Sequence, residues 1–149
     1  MQSMIAIDTN VLLRHLLQDD ELQSPKASEL LLRHERILVT DIVLVEAIWT
    51  LSGKKYQASR GDIVKLISDL LGEPSIVFES PQAIWVALND FRAEYSQVSG
   101  NERKLKLPDF PDVLIMNKAM QLAKQWGESL DAVYSFDTGA LRVAGVKQP

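Results

Sequence analysis

Short apolar runs alternate with longer segments of helical pattern along this chain. That alternation restricts the fold more than any other feature. Residues 4–7, 37–39, 76–78 and 132–135 read as buried strands. Residues 11–17 are apolar enough for a buried helix, and Ser24-Pro25 reads as a cap and first turn before a stripe of Ala27, Leu30 and Leu31. Thr40 or Asp41 caps a helix running to about Leu51. Ser59 caps another, with Ile63, Leu66, Ile67 and Leu70 inside and Gly72 as its stop. Ser80-Pro81 opens a helix striped by Ile84, Leu88, Phe91 and Tyr95. Pro111 opens the next, carrying Leu114, Ile115, Lys118, Ala119 and Leu122 and stopped by Gly127, and a short helix follows near Ala140. Strands joined by helices imply crossover connections, hence an α/β fold with a mostly parallel sheet and helices on both faces. Sites in such sheets form outside the carboxyl ends of the strands.

A length of 149 residues suits a single domain over residues 1–149. Twenty acids against 16 bases leave a net charge of -4, which argues against a plain basic nucleic-acid binder. The absence of cysteine excludes disulfides, thiolate nucleophiles and cysteine-ligated zinc, and fits a reducing, cytoplasmic setting. No secretory signal is expected at the N-terminus. The apolar runs fall far short of the roughly 18 residues a membrane span needs, so no membrane partner is expected. Neither an internal repeat nor a Gly-rich phosphate loop appears. The polar, basic stretch 96–106 reads as a surface loop.

Five acids stand apart from the solvated majority. Asp8 directly follows the first strand and Asp137 the fourth, at strand carboxyl ends. Asp109 and Asp112 flank the start of the Pro111 helix. Glu46 lies mid-helix with Ile42, Val43, Trp49 and Thr50 as its helical neighbours, an apolar setting that is costly for a carboxylate unless it is paired, protonated or metal-bound. Each acid also has a plainer role. Asp8 and Asp137 can cap the helices that follow them, Asp112 can favour the helix dipole, Asp109 can serve a turn, and Glu46 can form a salt bridge.

Oxygen-only ligand sets suit Mg²⁺ or Mn²⁺. Zinc would call on His15 or His34, which read as helix-surface residues instead. A carboxylate-held divalent cation lowers the pKa of bound water and neutralises charge on a phosphodiester.

Ile-Asp-Thr-Asn at 7–10, Val-Glu at 45–46, Asp-Phe-Pro-Asp-Val-Leu-Ile at 109–115 and Ser-Phe-Asp-Thr at 135–138 together resemble the PIN-domain family. The likeness is to the VapC-type toxins of bacterial toxin–antitoxin pairs, and the stretch 8–20 is typical of that subgroup. It implies a small three-layer α/β/α domain with a mostly parallel central sheet and a Mg²⁺- or Mn²⁺-dependent endoribonuclease site. Asp8, Glu46, Asp112 and Asp137 match the metal-binding acids, Asp109 an extra acid of one subgroup. Asn10 and Thr138 are polar candidates beside them. The resemblance further implies an RNA substrate, a homodimer and a cognate antitoxin that blocks the site. Arg14, Lys54, Lys55, Arg103, Lys104 and Lys106 are candidate phosphate contacts, each also readable as a solvated charge. Two departures stand out: the 96–106 loop is long and basic, and Pro111 precedes Asp112 where a small residue is common.

Two other readings stay open at this stage. A phosphoacceptor or phosphatase-like domain also uses an Asp after its first strand with Mg²⁺, but Asp8-Thr9-Asn10 lacks the second Asp of a closely spaced pair. A non-catalytic PIN-like binding module would keep the acids only to dock a partner.

Overall fold

Three parallel strands organise the first part of the chain. In the computed structural model, which describes residues 3–96 and 106–149, β1 (Ile5–Ala6), β2 (Ile37–Val39) and β3 (Ile76–Phe78) form a sheet in that order. Ile5 lies opposite Ile37, and Val39 opposite Phe78. Parallel neighbours need crossovers. Here α1 (Thr9–Leu17) and α2 (Gln23–Arg33) make the first, α3 (Asp41–Ser52) and α4 (Arg60–Gly72) the second. Helix α1 packs on both α2 and α3. Leu12, Ile37, Val39, Leu44 and Ile67 form the fully buried centre of this region. Because the strands run the same way, Asp8, Thr40 and Ser80 all fall at carboxyl ends.

The chain divides into two compact units, Met1–Pro81 and Gln82–Pro149. The second holds nearly all of α5 (Pro81–Ser96), then α6 (Phe110–Gln125), β4 (Val133–Tyr134), a 3₁₀ turn at Ala140–Arg142 and β5 (Val146–Lys147). Its core gathers Ile84, Leu88, Phe91, Phe110 and Val113. The rings of Phe91 and Phe110 meet edge to face at 5.8 Å and 87°, a favoured aromatic geometry. β4 pairs in parallel with β5, so every strand pair in the described residues is parallel. Among them, no helix is long and apolar enough to cross a membrane.

Local expectations hold with three differences. First, α2 begins at Gln23, and Ser24 is buried inside it. Its first turn is capped from Asp20, whose Oδ1 accepts from the backbone N–H groups of Leu22 and Gln23 at 3.0 and 2.7 Å. A carboxylate three residues ahead reaches those free donors better than a hydroxyl within the helix. Second, α6 starts at Phe110 with Asp109 as its cap, so Pro111 sits within the first turn, where its missing N–H costs nothing. Third, the structure adds β5, a two-residue strand with no apolar run of its own in the sequence.

Candidate metal centre

In the first unit, Asp8 follows β1 and caps α1: its Oδ1 accepts from Val11 N at 3.0 Å. Its second oxygen makes no hydrogen bond among the described residues. Thr9, the next residue, donates its hydroxyl to Glu46 Oε2 at 2.9 Å, tying α1 to the second turn of α3. Glu46 does not have the buried apolar setting expected of it. Its helix face is open, with Glu46 exposed and Ile42 and Trp49 70% and 58% exposed, while Leu44, Ala47, Ile48 and Leu51 are buried. Because α3 is apolar almost all round, the spacing of its apolar residues does not reveal which side faces the core.

In the second unit, Asp109 and Asp112 cap each other. Asp112 N donates to Asp109 Oδ1 at 3.0 Å, and Asp109 N to Asp112 Oδ2 at 3.1 Å. This is a capping box with an acid at both positions. Asp137 lies in the turn after β4, and its Oδ1 accepts from Ala140 N at 3.0 Å. Its Oδ2 accepts from the Lys106 ammonium at 2.5 Å. Gly139 makes this fit possible, since a Cβ there would stand 2.7 Å from Leu107 O and 3.1 Å from Asp137 Oδ1.

Charge accumulates around this set. Burial, then the adjacent Asp109 carboxylate and the Asp137 charge, push Asp112 up to about 6. The Asp137 carboxylate holds Lys106 above its usual range, and Asp109 and Asp112 add to the pull. Lys106 and the Ala140 N–H hold Asp137 below the usual carboxylate range.

Cap and ligand are therefore compatible roles. Asp8 uses one oxygen for its cap, and among the described residues the other accepts no hydrogen bond. Asp109 and Asp112 each give one oxygen to the capping box, and their side chains also interact with one another. Asp137 uses one for its turn and gives the other to Lys106. Of the polar candidates, Asn10 and Thr138 are exposed. Arg14 bonds Gln23 and Asp19, and the Lys55 ammonium lies 5.1 Å from the Tyr56 ring centre. Lys54 is exposed, whereas Arg103 and Lys104 lie outside the described residues. His15 in α1 bonds Ser28, and His34, the residue that ends α2, bonds the Leu30 carbonyl. The structure adds two roles that the sequence does not predict, Thr9 as a donor to Glu46 and Lys106 as counter-charge to Asp137. The adjacency of Thr9 to Asp8 was the only signal for the first, and the basic run ending at Lys106 the only signal for the second.

The model of the PIN domain family matches residues 5–146. The chain belongs to the PIN-domain family. No curated protein and no solved structure matches it. PIN domains are α/β folds with a mostly parallel sheet in a three-layer arrangement, generally nucleases acting on RNA, and typically use divalent metal ions. The candidate acids fit such an ion in kind, since all offer carboxylate oxygens, and burial and acidic neighbours disfavour the charged form of Asp112 where no cation is bound. Among the described residues, no three such side chains close into a metal-holding group as they stand. Asp8, Asp109, Asp112 and Asp137 are instead turned to their own caps, and Glu46 to the Thr9 hydroxyl.

Proposed function

We propose that this PIN domain is a Mg²⁺- or Mn²⁺-dependent endoribonuclease, a single cytoplasmic domain over residues 1–149. Asp8, Glu46, Asp112 and Asp137 hold the metal, and Asp109 supports Asp112. The observation that carries the reading is the Asp109–Asp112–Asp137 set: Asp112 is pushed up to about 6 by burial and its acidic neighbours, and the set has a lysine as counter-charge. A bound divalent cation supplies neutralisation of phosphodiester charge and a more acidic water. The chain's own contribution is orientation. At Asp8 and Asp112 the helix cap occupies one oxygen and leaves the other for a cation, and at Asp137 the oxygen outside the turn is held by Lys106. The Thr9 hydroxyl holds one oxygen of Glu46. The motif at 8–20 supports a role as the toxin of a type II toxin–antitoxin pair, acting as a homodimer restrained by an antitoxin.

The test is cleavage of an RNA panel by the purified protein with Mg²⁺ or Mn²⁺, with EDTA, and by Asp8→Asn. Metal-dependent cleavage lost in Asp8→Asn supports the reading. Full activity in that variant, or after metal removal, contradicts it.

A further inference from the structure

A cleft of about 320 Å³ opens beside Asp8, between α1 and α2. Its apolar lining is Val11, Ala27 and Leu30, and its polar lining is Asn10, Arg14, Gln23 and Lys26. Arg14 is pre-positioned. Its Nε donates to Gln23 Oε1 at 2.7 Å and its Nη1 to Asp19 Oδ1 at 3.3 Å. Asp19 is itself held by the Tyr56 hydroxyl at 3.2 Å. That leaves Arg14 Nη2 without a hydrogen bond among the described residues. Lys26 is exposed and makes no ion pair among them. Two cavities of similar size elsewhere have the opposite character. One is lined by Leu16, Leu66 and Leu70 with Asp69 and Glu73, the other by Val86, Met116 and Met120 with Asp90; neither contains a lysine or arginine.

The cleft beside Asp8 thus combines an apolar floor, two side-chain amides that both donate and accept, and two cations. An unpaired nucleotide asks for that combination: its base presents a flat face and a hydrogen-bonding edge, its phosphate a negative charge. The volume lies at the low end of the roughly 300–1,000 Å³ range of small-ligand sites, which suits one nucleotide.

We propose that this cleft binds one unpaired nucleotide adjoining the phosphodiester that is cut, its base against Val11, Ala27 and Leu30 and its phosphate on Lys26 and Arg14. The inference rests on the ribonuclease reading, which assigns Asp8 to the metal.

The test is fluorescence anisotropy of the full chain with short labelled single-stranded RNA in EDTA, where binding is read apart from cleavage. Lys26→Met is expected to weaken binding about three- to tenfold and to reduce the salt dependence by about one phosphate contact. Gln23→Ala, which releases Arg14, is expected to weaken it as well, and Lys65→Met on α4 to leave it unchanged. A 4-thiouridine photocrosslink is expected within residues 10–30. Binding indifferent to both Lys26→Met and Gln23→Ala, with no crosslink in that segment, overturns the subsite even if Mg²⁺-dependent cleavage is normal. Absence of cleavage by the wild type with Mg²⁺ overturns instead the ribonuclease reading, whatever the Lys26 dependence of binding.

Discussion

The Lys106 ammonium donates to Asp137 Oδ2, the carboxylate oxygen left over after Asp137 Oδ1 has capped the Ala140 turn. The two residues are 31 positions apart, and Asp109 and Asp112 reinforce the attraction. A lysine thus supplies counter-charge to an acidic set that, on the proposed reading, serves a divalent cation.

Removing that ammonium leaves the set more negative. Lys106→Met is expected to bind Mg²⁺ about two- to fivefold more tightly than wild type, the modest size reflecting an exposed pair. Lys106→Arg should bind as wild type does. Isothermal calorimetry checks both, and an unchanged affinity in Lys106→Met contradicts the placement.

Asp112 makes stability depend on pH. Its folded pKa of about 6 lies above the ordinary value of 3.8, so the neutral form suits the fold. The stability it contributes is fully present below pH 3.8 and is lost as pH rises through about 6. Asp112→Asn keeps a side-chain oxygen for the Asp109 N–H and cannot ionise. Relative to wild type, its Tm is expected to rise between pH 4 and pH 7, a window set by the two pKa values. Calorimetric melts across that range report it. Added Mg²⁺ should raise the wild-type Tm at pH 7 and leave Asp112→Asn nearly unchanged.

Gly139 and Gly72 should respond oppositely to alanine. A Cβ at Gly139 meets the Leu107 carbonyl at 2.7 Å, whereas one at Gly72 meets nothing within 4 Å. Gly139→Ala is expected to cost about 1–3 kcal/mol, typical of overpacking against backbone. Gly72→Ala, at the end of α4, should add about 0.4–1 kcal/mol by restricting the unfolded chain. Urea midpoints measure both.

Thr9 is expected to act through Glu46. Thr9→Val removes the hydroxyl donor while keeping side-chain size, and on the proposed reading lowers metal affinity about tenfold, as loss of a ligand-orienting hydrogen bond does. Thr9→Ser should restore the affinity. A purely structural role would instead lower Tm and leave Mg²⁺ affinity alone.

What the sequence made legible was local. Strand and helix alternation, the Thr40 and Ser59 caps and the positive-φ Gly127 stop all depend on residues within a turn or two, and all recur in the structure. The outward face of α3 was not legible, because a helix apolar all round has no pattern to mark its buried side. Nor was the pairing of Lys106 with Asp137, which depends on tertiary placement. Treating cap and ligand as rival roles for Asp8 and Asp137 was too narrow, since a carboxylate has two oxygens and each cap occupies only one.

That division of labour at Asp8 gives the most direct test. Serine caps helices about as well as aspartate, so Asp8→Ser should keep α1 capped and Tm near the wild-type value. It supplies no carboxylate. The decisive measurement is the Mg²⁺-dependent RNA cleavage rate of folded Asp8→Ser. Losing a metal ligand should cost more than the roughly 10- to 100-fold seen for residues that only orient one, so a fall of at least about 100-fold is expected at unchanged Tm. A rate equal to wild type would show that Asp8 is a helix cap and nothing more, and would contradict the account.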